Sequence, residues 1–312
     1  MKVLVLGGNG FIGSHVVDQL LAEGHIVRVF DRSHEKYRSS DPRVDYCLGR
    51  FDDVPALAES LEGVDVVYHL ISTTVPSTSN KDPVADVESN LQGTLRLLNL
   101  IRDSSVSRLV FMSSGGTVYG IPATIPIPED HPLRPLCSYG IVKVAIENYL
   151  HMYSVLYGLN AVILRASNPY GERQGHSGVQ GIIGTVFSRI LAGRPIEIWG
   201  DGSVVRDYIY AHDLASLCVA AGVSDVGGVF NAGSGSGVSI NELIDKIIAV
   251  SGREVEVIRT QGRAYDIPEI VLDVGKARMT FGWQAKTTLD DGLERSWRWY
   301  TSTSGSQAGG RT

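Results

Sequence analysis

Val3 to Gly13 reads VLVLGGNGFIG, and this stretch decides the fold. Val3 to Leu6 are four successive apolar residues, the run expected of a short strand buried on both faces. Glycines follow at Gly7, Gly8, Gly10 and Gly13, and Phe11, Ile12, Val16, Val17, Leu20 and Leu21 then recur at helical spacing up to Gly24. The stretch therefore predicts strand, tight turn and helix. In a turn that binds a dinucleotide pyrophosphate, the first glycine permits the bend and the middle one lets backbone N–H groups approach. The last lets the helix settle on the strand, and the helix N-terminus favours negative charge. The spacing here is G-x-x-G-x-x-G instead of the commoner G-x-G-x-x-G, and a glycine cluster alone also suits an ordinary connection. The next apolar run, Ile26 to Phe30, tilts the choice, because it ends on Asp31, 18 positions beyond Gly13. A carboxylate there accepts hydrogen bonds from ribose hydroxyls and repels a 2′-phosphate, so NAD is expected over NADP, with Arg32 keeping NADP admissible.

The 312 residues suffice for a large core and about two domains, and 43% hydrophobic with 20% charged residues is ordinary for a globular chain. A net charge of −6 without a long basic run argues against nucleic acid as partner, while a few local arginines could still hold a phosphorylated small molecule. Cys47, Cys137 and Cys218 are odd in number, far apart and without metal-ligand spacing, which reads as incidental thiols in a reducing compartment, with no metal site. No apolar run reaches the roughly 18 residues of a membrane span, and the N-terminus reads as a strand, not a signal peptide, so no membrane association and a cytoplasmic location are expected.

Apolar runs at Val3–Leu6, Ile26–Phe30, Val66–Leu70, Leu109–Met112 and Ala161–Leu164 alternate with helical stretches near Phe11–Glu23, Val54–Leu61, Pro83–Arg102 and Tyr139–Tyr157. That alternation predicts an α/β fold, a doubly wound parallel sheet of the Rossmann type, with ligands beyond the carboxyl ends of the strands. Beyond Arg165 the rhythm loosens: 168–179 reads as a loop and hinge, followed by shorter elements and a last helix, Leu289–Tyr300. The expected division is residues 1–167 as the nucleotide-binding domain, with 207–233 returning to it. Residues 168–206 and 234–300 would form a smaller α/β substrate domain, and the Ser-, Thr- and Gly-rich 301–312 a disordered tail.

Tyr139 and Lys143 lie four apart at the start of a helical run, hence on one helix face. Free tyrosine, with a pKa near ~10, is a poor base, but adjacent positive charge favours the phenolate and makes it usable. The pair alone is a weak signal; with the dinucleotide turn upstream it points to redox chemistry.

GGNGFIG at the start, SSGGTVYG at Ser113–Gly120 and YGIVK at Tyr139–Lys143 resemble the extended short-chain dehydrogenase/reductase family. NPYG, IEIWGDGSVVRDYIYAHDLA, FNAGSGSGVSINELI and FGWQAKTTLDDGLERSWRWY resemble its nucleotide-sugar members, particularly the UDP-hexose 4-epimerases, so the likeness covers about residues 1 to 300. The resemblance implies a Rossmann domain with NAD, a smaller domain with a nucleotide-diphosphate sugar, and a homodimer built through the helices around Pro83–Arg102 and Tyr139–Tyr157. Carried over, Tyr139 is the catalytic acid/base, and Lys143 holds the nicotinamide ribose and lowers the tyrosine pKa. Gly7, Gly10, Phe11, Ile12 and Gly13 line the pyrophosphate, Asp31 and Arg32 the adenosine ribose. Leu70 and Ser72, in the loop to Thr74, and Asn90 follow the cofactor further along. Arg50 and Phe51 stand near the adenine, where the family has an acid and an apolar residue, so Arg50 departs from the pattern. Ser114, Asn168, Trp199, Arg206 and Arg263 fall on substrate positions; the arginines suit phosphate, and their alternative is a solvated or structural charge. Ile270 aligns with the position that limits room for an N-acetyl group in the epimerases, and its medium size permits one without requiring it.

The family's hydroxyl residue three before the valine of Val-Tyr-Gly is Gly115 here. Thr117 is the expected substitute, with Ser114 flanking; the alternative is that both hydroxyls only satisfy loop backbone. Dehydratases and decarboxylases of this kind carry carboxylates just after that position. Gly116 and Thr117 supply none, and His69 and His212 read as packed or capping residues. The expectation is a 4-epimerase acting on a UDP-hexose or UDP-N-acetylhexosamine. A nucleotide-sugar reductase or dehydratase, or a non-catalytic NAD-binding sensor, are the alternatives.

Overall fold

The computed structural model describes residues 1–175, 181–262 and 267–308, of which 304–308 as backbone. Seven strands form the central sheet: β1 (Lys2–Leu6), β2 (Ile26–Asp31), β3 (Val44–Leu48), β4 (Val66–His69), β5 (Arg108–Ser114), β6 (Asn160–Ala166) and β10 (Gly228–Ala232). They run in the order β10-β6-β5-β4-β1-β2-β3, every pairing parallel. The strand order reverses beside β1, where a doubly wound sheet opens its ligand crevice. Alternate side chains of β1 feed two cores, as a strand buried on both faces must. Val3 and Val5 pack with Val16 and Leu20 of α1 (Phe11–Ala22) and with Leu214 and Leu217 of α8 (Ala211–Val223). Leu4 and Leu6 pack with Leu57 of α2 (Val54–Ser60), Leu97 and Ile101 of α5 (Gly93–Arg102), and Val142, Ile146 and Leu150 of α6 (Ser138–Tyr157).

A second sheet sits beyond the strand ends: β9 (Val205–Tyr210) pairs with β7 (Asn168–Tyr170) and β13 (Glu269–Ile270) in parallel and with β11 (Gly237–Ser239) antiparallel. β8 (Ile196–Trp199) pairs with β12 (Val257–Thr260). Their apolar faces join α7 (Ile182–Leu191), α9 (Ile240–Ser251) and α11 (Leu289–Ala308) around Phe187, Ile198, Tyr208, Leu243, Leu293 and Tyr300, while α10 (Gly275–Phe281) packs Phe281 on Phe230 of β10.

Three sequence expectations are corrected. The helix expected over Pro83–Arg102 is broken into α4 (Pro83–Asp86), a π-helical stretch Val87–Gln92 and α5, preceded by a short α3 (Pro76–Ser79). The Asn90 carboxamide reaches back to the Asp86 carbonyl (3.3 Å) and Thr94 Oγ1 donates to Asn90 O (2.7 Å), side-chain bonds that compete with regular turns. The last helix does not stop at Tyr300 but continues to Ala308, with the Thr301 and Thr303 hydroxyls donating to Trp297 O and Trp299 O; residues 309–312 lie outside the described part. Val44–Leu48 and Asn168–Tyr170, not read as strands, gain their geometry from neighbours distant in sequence. Among the described residues, no helix is long and apolar enough to cross a membrane and no cluster of metal-ligating side chains occurs.

Two histidines are locked inside as neutral rings. Burial pushes His15 down to about 4 and His69 to about 3, both below the ordinary value of 6.5. A group depressed in this way binds its proton only after unfolding, so acid favours the unfolded chain. The histidine contribution is therefore complete above about pH 6.5 and falls as pH drops towards 4, His15 alone contributing on the order of 3 kcal/mol. The urea midpoint should be lower at pH 5 than at pH 7, and His15→Gln should flatten that difference.

Candidate active site

The turn between β1 and α1 is built by backbone proximity. Gly7 has φ +82°, a left-handed conformation that favours glycine, and a Cβ at Gly13 would collide with the Gly7 carbonyl. α1 begins after Gly10 with no side-chain cap and no acid in its first turn, so its N–H groups are left to a ligand. Asp31, at the end of β2, is nearly buried; it accepts from Asn9 N (3.1 Å), Ser33 N (3.0 Å) and Ser33 Oγ (3.1 Å), which ties the turn to the β2 loop.

Two cavities meet at this turn and share Gly7, Gly10, Leu70 and Ser72. The first, about 690 Å³, is lined by Asp31, Arg32, Ser33, Lys36, Arg50, Phe51 and the outer face of 85–96. The second, about 680 Å³, is lined by Phe11, Ile12, Gly13, Ser114, Thr117, Tyr139, Lys143, Ser167, Asn168, Gln174 and Arg206, among others. Together they form one trough with a glycine floor at its waist. A dinucleotide fits: an adenosine half beside Asp31, a pyrophosphate over Gly7–Gly13 at the start of α1, and a nicotinamide half towards Lys143. Arg50 reaches into the first cavity but is paired bidentately with Asp52 (both 2.9 Å).

Tyr139 and Lys143 come together on the first turns of α6. The buried Lys143 Nζ donates to Met112 O (2.8 Å) and lies 4.6 Å from the Phe111 ring centre and 5.5 Å from that of Tyr139. Burial brings Lys143 down to about 8, opposed by the negative charges of Glu147 and Asp86. Burial also pushes Tyr139 up to about 12, against hydrogen bonds with Ser114 and Ser72 that favour the phenolate. The expected lowering of the tyrosine pKa is therefore absent in the protein by itself, because desolvation outweighs the neighbouring dipoles. A further positive charge has to arrive before the phenol becomes a base at neutral pH.

The hydroxyl question has a geometric answer. A Cβ at Gly115 would point at Leu272 Cδ1 (2.5 Å) and Arg165 O (3.0 Å), away from the trough. Ser114 stands close enough to favour ionisation of the phenol, and Thr117 Oγ1 is buried at the trough wall without a partner among the described residues.

Other expected residues scatter more. Asn90 lies behind the loop, its amide spent on Thr73 N (2.9 Å) and Asp86 Oδ1 (2.9 Å). Asn168 lines the second cavity while donating to Asp207 O (2.8 Å), and Arg206 lines it while donating to Ile267 O (2.7 Å). Trp199 closes β8 outside both cavities, and Arg263 lies outside the described residues. Ile270 is buried with Val118, Tyr119, Ile127 and Leu272, so it does not face the trough. Sequence reading missed Ser167 and Gln174, buried and each with an oxygen (Oγ and Oε1) at the second cavity that has no partner among the described residues; only their closeness to NPYG hinted at them.

Residues 3–233 match the model of the NAD dependent epimerase/dehydratase family. The chain belongs to that family. It is 36% identical over 314 residues to the UDP-glucose 4-epimerase of Mycolicibacterium smegmatis, covering 97% of this chain and all of the relative. Among solved structures, it resembles the UDP-glucose 4-epimerase of Thermotoga maritima with UDP-glucose at 33% identity, with a TM-score of 0.92 over 97% of this chain and 99% of the other. The Thermus thermophilus UDP-glucose 4-epimerase complex with NAD gives 34% identity and a TM-score of 0.90, over 96% and 99%. The extended short-chain dehydrogenase/reductase character read from the sequence agrees with the family match, and the NAD dependence agrees with that family and with the Thermus complex.

Because position 115 points into packed atoms, Gly115→Ser should not improve any activity and should lower stability by about 1–3 kcal/mol, read as a lower urea midpoint. Ser114→Ala and Thr117→Val should each lower turnover about tenfold or more without that loss of stability.

Proposed function

We propose that this protein is an NAD-dependent 4-epimerase of a UDP-hexose or UDP-N-acetylhexosamine. The observation that carries the reading is the composition of the second cavity. Tyr139 is its acid/base, Lys143 its cation beside the nicotinamide half, and among the described residues no Asp, Glu or His lines it. An elimination or decarboxylation needs a second proton-transfer group at the sugar, and the described lining supplies no carboxylate or imidazole for it. A one-carbon oxidation and reduction needs only one. The relatives named above carry UDP-glucose 4-epimerase as their activity, which points the same way.

NAD, when bound, supplies the hydride acceptor and donor for the sugar carbon. Gly7, Gly10, Phe11, Ile12 and Gly13 would hold its pyrophosphate on the α1 N-terminus, Asp31 with Arg32 its adenosine ribose, and Leu70 with Ser72 the bend towards Lys143. Arg50 and Phe51 would border the adenine. On the substrate side, Tyr139 removes the proton of the sugar 4-hydroxyl in one direction and returns it in the other. Ser114 keeps the phenol oriented, and Thr117 offers its unpartnered hydroxyl to the sugar. The Lys143 ammonium, pinned on Met112 O, stabilises the phenolate and orients the ribose. Asn168 and Arg206 would receive the nucleotide diphosphate. The proposed division of the chain follows the same line: residues 1–167 and 207–233 for the cofactor, 168–206 and 234–300 for the sugar nucleotide.

We also read the protein as a homodimer. α6 exposes Ile141, Tyr149, Met152, Val155, Leu156 and Tyr157 along one side, next to Val84 and Val87, an apolar surface that a monomer would leave in water.

Purified protein with UDP-glucose, UDP-galactose and their N-acetylated forms should interconvert at least one pair without net change in nicotinamide absorbance. Tyr139→Phe should lower kcat about 10²- to 10⁴-fold. Water loss in the product mass, or an unimpaired Tyr139→Phe, would refute the reading. Light scattering should give twice the chain mass at micromolar concentration, and Val155→Glu with Leu156→Glu should return the monomer.

A further inference from the structure

Asp86, at the end of α4, is fully buried, and none of the ion pairs among the described residues involves it. Its carboxylate accepts from Thr74 Oγ1 (2.7 Å), Asn90 Nδ2 (2.9 Å) and Ser138 Oγ (2.7 Å). These donors belong to three separate segments: the loop after β4 that carries Ser72, the π-helical stretch, and the first turn of α6 immediately before Tyr139. The bond to Asp86 also fixes which way the Asn90 amide faces, leaving its Oδ1 to receive Thr73 N (2.9 Å). The other buried acid near the pair, Glu147, is different in kind, since Arg165 grips it through three contacts of 2.7 to 3.2 Å. A carboxylate taken out of water without a cation of its own is costly and is maintained only where its field and its hydrogen bonds are used.

We propose that Asp86 is a positioning residue for the reaction: it locks the start of α6 to the cofactor-side loop, and it supplies the fixed negative charge that faces the Tyr139–Lys143 pair. This deepens the epimerase reading and rests on it for the roles of Tyr139 and Lys143. The groups facing the pair can be named element by element. Cys137 precedes Tyr139 and Glu147 follows Lys143 on α6, His69 lies below Lys143 on β4, Asp86 stands on α4, and the hydroxyls of Ser72 and Ser114 touch the phenol. Asp86 alone among them acts as an anion on both members, opposing ionisation of the phenol and favouring the charged ammonium. Its charge adds to the burial that keeps Tyr139 protonated, and joins Glu147 in favouring the charged form of Lys143.

The test is made on the NAD-loaded protein. Tyr139 is titrated by tyrosinate absorbance, as the difference between each protein and its Tyr139→Phe counterpart. Asp86→Asn keeps shape and removes charge; it should move the Tyr139 midpoint down by roughly 1 pH unit and carry the acid limb of the kcat/KM profile with it. Ser138→Ala removes one tie but keeps the charge, and its midpoint should stay with wild type. An unmoved or raised midpoint in Asp86→Asn overturns the proposal, as does an equal shift in Ser138→Ala, which would make packing the cause. Should Asp86→Asn fail to fold, Asp86→Ser, with room for a water, carries the same expectation and the same refutation. The absorbance titration needs no turnover, so a wild type that interconverts no sugar would sink the epimerase reading while the charge measurement still decides this one.

Discussion

The site depends on one ammonium group held out of water. Lys143 lies under β5 and the cofactor trough, where an uncompensated charge costs several kcal/mol, and its one hydrogen bond is to a backbone carbonyl, Met112 O. Two buried carboxylates, Asp86 before it and Glu147 after it, supply the missing counter-field. Placing that ammonium fixes the register of α6 against β5, and the register fixes where Tyr139 meets the trough. A one-residue slip of α6 would turn both side chains away together, because they share a helix face.

The same economy links the two halves of the molecule. Glu147 pairs with Arg165 on β6, and Arg165 also donates to Tyr119 Oη (3.1 Å) and Glu129 O (2.8 Å). Tyr119 donates to Asn231 on β10, whose amide donates to Ile127 O and Asp273 O. A buried chain of this type is strong when every member is satisfied and fragile otherwise. It runs from the helix bearing the acid/base to the strand that closes the central sheet, and on to the segment 271–275 that backs the second sheet. The catalytic face is thereby fastened to the substrate side through polar contacts beneath the trough, leaving its walls free for a ligand.

Local chemistry was legible in the sequence. The β1 turn, the Asp31 position and the Tyr139–Lys143 spacing each rest on residues within a few turns of one another, so the period of the pattern and the glycine positions carry them. What could not be read depends on atoms far apart in the chain. Gly115 looked like a missing catalytic hydroxyl because motif position was taken for direction, yet its side-chain vector is set by Leu272 and Arg165, 157 and 50 positions away. Ile270 looked like a wall of the sugar site and proves to be core. Asp86 sat inside what read as a regular helix, and its function appears only once the π-helical stretch, the β4 loop and the start of α6 converge on it. Residues 301–308, judged by composition to be part of a disordered tail, continue α11, with the Thr301 and Thr303 hydroxyls bonding back to helical carbonyls.

A base that is switched on by its own cofactor follows from this arrangement. Taken alone, the protein holds the phenol neutral, since burial outweighs the hydroxyls of Ser114 and Ser72, with smaller upward pushes from Cys137 and Asp86. A phenolate formed without bound dinucleotide would be an unpaired anion in a desolvated cleft. An oxidised nicotinamide held at the Lys143 end of the trough would add a positive charge that favours the phenolate, and a reduced one would not, so Tyr139 would take the substrate's proton in one direction and hand it back in the other. Reversible chemistry at a single carbon requires a group whose basicity rises and falls with the redox state beside it. A tyrosine whose resting pKa is held high by burial and a fixed carboxylate meets that requirement better than one already ionised, because a permanently charged phenolate would have no reason to keep the proton it must hand back.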